Sequence, residues 1–218
     1  MTREMRQAML EQVDLYPVTC ERLSAGRSNL QVLDQLIRGG ARIVQLREKE
    51  YTTRDFYNMA LKFREATHRA GMLLIINDRI DVAMAVQADG VHLGQDDLPI
   101  SAARALAPDL LIGASTHSLE EALRAEEEDA DYVNIGPIFP TSTKADVEKF
   151  LGADAIASIG SRLRGPFTVM GGINSSNLDS VLAKGARRVA MVTAVTQAPD
   201  IARAVSDLRT RIRAYRMP

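Results

Sequence analysis

The chain has 218 residues, 46% hydrophobic and 25% charged, with 27 Lys plus Arg against 28 Asp plus Glu. That is the size and balance of a soluble globular protein with a sizeable core. A net charge of −1 excludes nucleic-acid or membrane recognition through bulk charge, and no apolar run approaches the roughly 20 residues of a membrane span.

In chain order, residues 1–13 mix charges with apolar residues and lack a signal-peptide core. They read as a leading helix with an apolar face at Met5, Met9 and Val13. The single cysteine, Cys20, cannot close an internal disulfide, and no Cys cluster suits zinc. This points to a reducing, cytoplasmic setting. Eight short apolar runs then recur: Leu15–Thr19, Arg42–Leu46, Met72–Ile76, Gly90–Leu93, Leu110–Ala114, Tyr132–Ile135, Phe167–Met170 and Arg188–Val192. Several are near-continuous in Val, Ile and Leu, as in strands buried on both faces. Their starts lie about 20 to 35 residues apart, the period of a βα unit.

Helical patterns fill the gaps. Phe56, Met59, Ala60 and Phe63 make one apolar stripe, and Ile201, Ala204, Val205 and Leu208 another. Gly39-Gly40, Gly71 and Gly185 stand where helices should end in a left-handed cap. Asn174-Ser175-Ser176 is placed to cap the helix after the seventh strand. Strand-then-helix repeated eight times fits a closed barrel or an open doubly wound sheet. An open sheet would favour a Gly-rich turn after its first strand, but Cys20-Glu21-Arg22 follows instead. The expectation is therefore an α/β protein, a (β/α)8 TIM barrel with a short extra N-terminal helix. It should form one domain over 1–218, with the helix in 1–13 and the barrel in 14–218.

Barrel sites are built at the C-terminal strand ends, and the unusual polar residues fall there. The N-terminal strand ends show nothing comparable. After the second strand, Gln45, Arg47 and Lys49 alternate, so an extended backbone points them to one side. Arg offers a fork for phosphate oxygens and Lys a point charge. The alternative is a charge-rich loop in which Glu48 and Glu50 pair these bases. Asn77-Asp78 follows the third strand, and Asp96-Asp97 the fourth. Two carboxylates plus a phosphate are a usual way to hold Mg²⁺. Each acid could instead cap a helix, Asp78 over 81–87 and Asp97 over 100–107. With Arg47, Lys49 and Lys144 at the same barrel end, a metal pyrophosphate is the better explanation.

Gly171-Gly172 precedes a helix and can present backbone N–H groups to phosphate, or can simply make a tight turn. His68 sits late in a helix, a surface position. His92 lies within the fourth strand and suits an inward core histidine. Ser115 and His117 make poor evidence for a nucleophile–base dyad, and no acid completes a triad. Lys144 could form a Schiff base, but its neighbours Thr141 and Thr143 suit phosphate contact.

Gln45-Leu46-Arg47-Glu48-Lys49, Asn77-Asp78, His92-Leu93-Gly94-Gln95-Asp96-Asp97, Gly136-Pro137 through Thr141-Ser142-Thr143-Lys144, and Gly171-Gly172-Ile173 together resemble the thiamine phosphate synthase family, in order and spacing. The resemblance runs from the first strand to Thr196. It implies a transferase that joins 4-amino-2-methyl-5-(diphosphooxymethyl)pyrimidine to thiazole phosphate, releasing pyrophosphate. By position, Gln45, Arg47, Lys49, Asn77 and Lys144 would hold the pyrimidine pyrophosphate, and Asp78 and Asp97 would carry Mg²⁺. Ser115 would sit near the pyrimidine. Thr141, Thr143, Gly171, Gly172, Val192 and Thr193 would meet the thiazole phosphate. Catalytic weight would fall on Arg47, Lys49, Ser115 and Lys144. Partners would be these small molecules, and a homodimer is compatible with them.

Two departures stand out. Thr193 replaces a frequent serine, and Asn134 a usually smaller residue. The rival readings are a thiazole tautomerase using His117, a Schiff-base aldolase using Lys144, and a non-catalytic barrel that binds phosphorylated metabolites.

Overall fold

The computed structural model describes residues 1–141 and 149–215. Helix α1 (Arg3–Glu11) leads into strand β1 (Leu15–Thr19). There follow α2 (Asn29–Arg38), β2 (Ile43–Leu46), α3 (Thr53–Ala70), β3 (Leu73–Asn77), α4 (Ile80–Ala85) and β4 (Gly90–Leu93). Then come α5 (Ile100–Leu106), β5 (Leu111–Thr116), α6 (Leu119–Glu127), β6 (Tyr132–Ile135) and α7 (Asp154–Gly160). The chain continues through β7 (Phe167–Val169), α8 (Leu178–Leu182), β8 (Val189–Met191), α9 (Thr193–Thr196) and α10 (Ile201–Ala214). The strands pair in parallel and in sequence order, and β8 closes on β1. The fold is a (β/α)8 barrel. No helix among the described residues is long and apolar enough to cross a membrane.

Alternation along each strand separates two cores. Leu15, Val44, Leu46, Leu74, Ile76, Val91, Leu93, Ile112, Val133, Ile135, Val169 and Val189 face outward into the helix layer. Tyr16, Ile43, Leu73, Ile75, Leu111, Tyr132 and Ala190 face inward. Towards the C-terminal ends the inward positions turn polar: Gln45, Asn77, His92, Asn134 and Thr168 are all buried. The same two-residue period that fills the barrel floor thus lines its mouth with hydrogen-bonding groups. The rim is held unevenly. β2 and β3 share four paired positions, whereas β7 meets β8 only at Val169 and Val189.

Helix α1 plugs the lower opening. Its buried residues are Arg6 and Leu10, with Val13 just beyond. The expected face is corrected here: Met5 is 55% exposed. Val13 is buried and Met9 packs on the core as expected, but in the first turn Arg6 turns inward instead of Met5, donating to the Asp109 carbonyl at 2.7 Å and lying 3.5 Å from Asp89.

The N-terminal strand ends also depart from expectation, for they carry a set of buried acids. Asp14 receives the Leu15 N–H at 2.7 Å and ion pairs from Arg209 and Arg213 at 2.8 and 2.6 Å. Asp89 receives the Leu74 N–H at 2.9 Å and pairs with Arg64 at 2.7 Å. Asp131 receives the Ile112 N–H at 2.7 Å and pairs with Arg104 and Arg3 at 2.6 and 2.8 Å. Each acid ties a strand edge to a helix.

Smaller details of the caps differ too. Gly71 is the left-handed cap of α3, with φ of 63°. Gly39 caps α2 in the right-handed region, and the left-handed turn falls on Gly40. Gly185 is left-handed but follows the Ala183 cap of α8. Asn174 does not cap α8. Its Oδ1 accepts from the Ser176 N–H at 2.9 Å, a local turn that delays the helix to Leu178.

Candidate active site

A cavity of about 560 Å³ opens at the C-terminal barrel end. Gln45, Arg47, Lys49, Asn77, Asp78, Asp97, Ser115, Thr141, Gly171, Gly172, Val192 and Thr193 all line it. The sequence-based set therefore converges on one space. Thr143 and Lys144 lie outside the described residues, as does most of the 141–149 loop. The cavity also takes in Val18, His92, Gln95, His117, Met170 and Gln197. Neither Met170 nor Gln197 carried a sequence signal, because each looks like an ordinary strand or turn residue.

The basic residues of the β2 loop are not neutralised by their acidic neighbours. Glu48 accepts from the Glu21 N–H at 2.6 Å and from Asn29 Nδ2 at 2.7 Å. Glu50 pairs with Arg22 at 3.5 Å. The charge-rich-loop alternative fails for that reason. Arg47 has no carboxylate partner among the described residues, and Lys49 reaches across the mouth to Asp78.

The two acids do not cap helices. Asp78 takes a left-handed backbone, φ 61°, with its N–H on the His92 carbonyl at 2.8 Å. The α4 cap position is Arg79, without a side-chain bond. Asp97 Oδ2 accepts the Gly94 N–H at 2.6 Å, and the α5 cap position is Pro99. Both carboxylates are thereby turned into the cavity. Burial, and then the closeness of Asp78, raises the Asp97 carboxyl above its ordinary value, against the Gly94 N–H and the Lys49 charge. Two like charges held together in a half-buried place are what a bound cation would relieve. No group of three or more potential metal ligands occurs among the described residues. A divalent cation here would take its remaining oxygens from ligand phosphate and water, as Mg²⁺ usually does. The donor set fits that ion.

On the far side of the mouth, Gly171 and Gly172 both have positive φ, 106° and 62°. A Cβ on Gly171 would stand 2.4 Å from Pro137 Cβ, and one on Gly172 2.4 Å from the Pro140 carbonyl. These glycines let the β7 loop press against the β6 loop. Val192 and Thr193 open α9 next to them. Asn134 is accommodated within the wall: Thr168 Oγ1 donates to its Oδ1 at 2.8 Å.

Of the histidines, His68 touches Arg64 on the surface. His92 is the inward core residue expected. His117 Nδ1 sits 2.6 Å from the Gly136 carbonyl, while the Ser115 Oγ bonds His92.

Residues 15–195 match the family model described as thiamine monophosphate synthase. A thiamine-phosphate synthase of Chloroflexus aurantiacus is 46% identical over 198 residues, covering 91% of this chain and 92% of its own. Another, from Pyrococcus horikoshii, is 44% identical, covering 91% and 94%. A solved thiamine phosphate pyrophosphorylase from Pyrococcus furiosus superposes with a TM-score of 0.87 at 36% identity, covering 97% of this chain and 98% of that one. With its cavity at the expected barrel end and relatives matched over nearly all of its length, the chain belongs to the thiamine monophosphate synthase family.

Proposed function

We propose that this chain is a thiamine-phosphate synthase: it joins 4-amino-2-methyl-5-(diphosphooxymethyl)pyrimidine to thiazole phosphate and releases pyrophosphate. One observation carries the reading. Two cavity-facing carboxylates, Asp78 and Asp97, stand beside Arg47 and Lys49 above a polar floor of Gln45, Asn77 and Ser115.

The chemistry asks for little covalent help. Departure of pyrophosphate from the pyrimidine methylene leaves a cation that an electron-rich ring spreads. The thiazole nitrogen then forms the new C–N bond. What the protein must supply is charge on the leaving group and placement of the nucleophile. Mg²⁺, when bound, neutralises charge on the departing pyrophosphate. Asp78 and Asp97 would hold it. Arg47, Lys49, Asn77 and Lys144 grip the pyrophosphate, and Gln45 and Ser115 face the pyrimidine. Gly171, Gly172, Val192, Thr193, Thr141 and Thr143 anchor the thiazole phosphate, in the loops where barrels often bind phosphate. Val18, Met170 and Val192 give the cavity an apolar part, which would limit water at the carbon centre.

The reading treats 1–218 as one barrel domain working in the cytoplasm. The test is direct. Purified protein given both substrates and Mg²⁺ should release pyrophosphate in step with thiamine phosphate. Isomerisation of the thiazole with no pyrophosphate released would replace this reading with the tautomerase.

A further inference from the structure

A chain of side chains runs beneath the cavity and joins three of its residues. Gln45 Nε2 donates to Tyr16 Oη at 3.0 Å. Tyr16 Oη and Tyr132 Oη are 2.8 Å apart. Tyr132 Oη is 3.1 Å from His92 Nδ1, and His92 Nε2 is 3.0 Å from Ser115 Oγ. The five residues come from five strands: β2, β1, β6, β4 and β5. Tyr16 and Tyr132 are each 1% exposed, and Gln45 and His92 are 2% and 6% exposed. Gln45, His92 and Ser115 line the cavity, whereas the tyrosines lie behind its wall. The His92 and Tyr132 rings stack at 5.6 Å.

The backbone makes room for this chain. A Cβ on Gly113 would fall 2.1 Å from Tyr132 Cζ and 2.6 Å from His92 Nδ1. Any larger residue there would part the two rings.

Hydrogen bonds in series share one direction, because each hydroxyl gives one proton. Burial pushes both phenols well above their ordinary range, so both keep that proton. With Gln45 donating, Tyr16 donates to Tyr132 and Tyr132 to His92 Nδ1. His92 then carries its proton on Nε2 and donates to Ser115. The remaining Gln45 oxygen is an acceptor, and the Ser115 O–H is a donor. An aminopyrimidine offers the converse, an N–H donor near ring-nitrogen acceptors. As the leaving group departs, positive charge spreads onto the exocyclic amine, and an acceptor facing it gains strength in the transition state.

We propose that Tyr16, Tyr132 and His92 are positioning residues: a one-way relay that fixes Gln45 as acceptor and Ser115 as donor towards the aminopyrimidine. The proposal rests on the pyrimidine reading given above, but its first test does not need turnover. In wild-type protein labelled with ¹⁵N at histidine, His92 should be a neutral imidazole with its proton on Nε2. In Tyr132→Phe, which keeps the ring and removes the hydroxyl, that single tautomer should give way to a mixture. Steady-state kinetics make the second arm. Tyr132→Phe should lower kcat about tenfold, with KM for the pyrimidine ester changed far less, as expected for a bond strengthened in the transition state. Adding it to Gln45→Ala should cost little more than Gln45→Ala alone. Tyr16→Phe breaks the next link and should behave alike, so a folding failure of one variant leaves the other. An imidazolium, or a proton on Nδ1, in the wild type overturns the relay, as does unchanged kcat in both variants. Absence of turnover in the wild type would instead overturn the enzymatic reading and leave the spectroscopic arm to decide the relay.

Discussion

The two ends of the barrel use the same residue types to opposite ends. At the lower end, Asp14, Asp89 and Asp131 are buried and each is met by arginine and by a strand N–H. At the upper end, Asp78 and Asp97 line an open cavity, Asp78 is met by the half-exposed Lys49 and no arginine, Asp97 lies above its ordinary pKa, and Arg47 has no acidic partner among the described residues. Charge balanced within the chain serves stability. Charge left to be balanced by a ligand serves binding, and the fold must tolerate it in the meantime.

The strongest way to break this contrast is to remove an acid at the lower end. Asp131→Ala should cost roughly 3–5 kcal/mol, because the buried Ile112 N–H loses its acceptor and Arg104 and Arg3 keep only the exposed Asp129. Calorimetry should then show a melting temperature lower by about 6–20 °C for a chain of this size, with kcat of the folded fraction kept. Removing an upper acid should do the reverse. Asp78→Ala and Asp97→Ala should each lower pyrophosphate release by about a hundredfold or more, about 2.7 kcal/mol of barrel chemistry. Their melting temperatures should stay near the wild type. Wild-type turnover in both variants would remove the metal assignment.

Acid sharpens the comparison, because the two ends have opposite signs. Burial raises the Asp14 carboxyl, but the Arg209 bond, the Leu15 N–H and Arg213 outweigh it, and the net value falls below the ordinary carboxylate value. A carboxyl lowered in the folded state contributes stability that is complete above the unfolded value and is lost as pH falls through the folded value. Asp97 is raised, so its contribution is present at low pH and is lost as pH rises through its folded value. Unfolding measured from pH 3 to 6 should therefore lose part of its acid sensitivity in Asp14→Asn. In Asp97→Asn it should gain stability towards neutral pH. The smallest effect belongs to Lys49→Ala, about a tenfold weaker Kd for the pyrimidine ester with little change in stability, since the Lys49 side chain is 54% exposed.

How much of this was legible differs by end as well. The strands were readable because a buried parallel strand is a run of Val, Ile and Leu, and the mouth because polar residues interrupting such runs at one end are conspicuous. Asp78 and Asp97 gave themselves away by company. The lower acids did not: a single Asp before an apolar run looks like any turn residue, and its arginines are up to 199 positions away. Of the leading helix's apolar face, Met9 and Val13 were legible and Met5 was not, for a related reason. Periodicity alone prefers methionine to Arg6, whereas the Asp109 carbonyl and the nearby Asp89 give the buried arginine its partners. The tyrosine relay was invisible for the same cause, since Tyr16 and Tyr132 are 116 residues apart and each reads as a core aromatic.

The thin joint between β7 and β8 has its own consequence. A ring of staves opens first where two staves share the least edge, and here that edge is Val169 against Val189. The Gly171-Gly172 loop hangs from one stave and Val192-Thr193 from the other. A phosphate gripped by both would act as a clasp across the gap, so amide exchange along β7 and β8 should slow when thiazole phosphate is added, ahead of any other part of the barrel. The substrate would then be a temporary member of the wall.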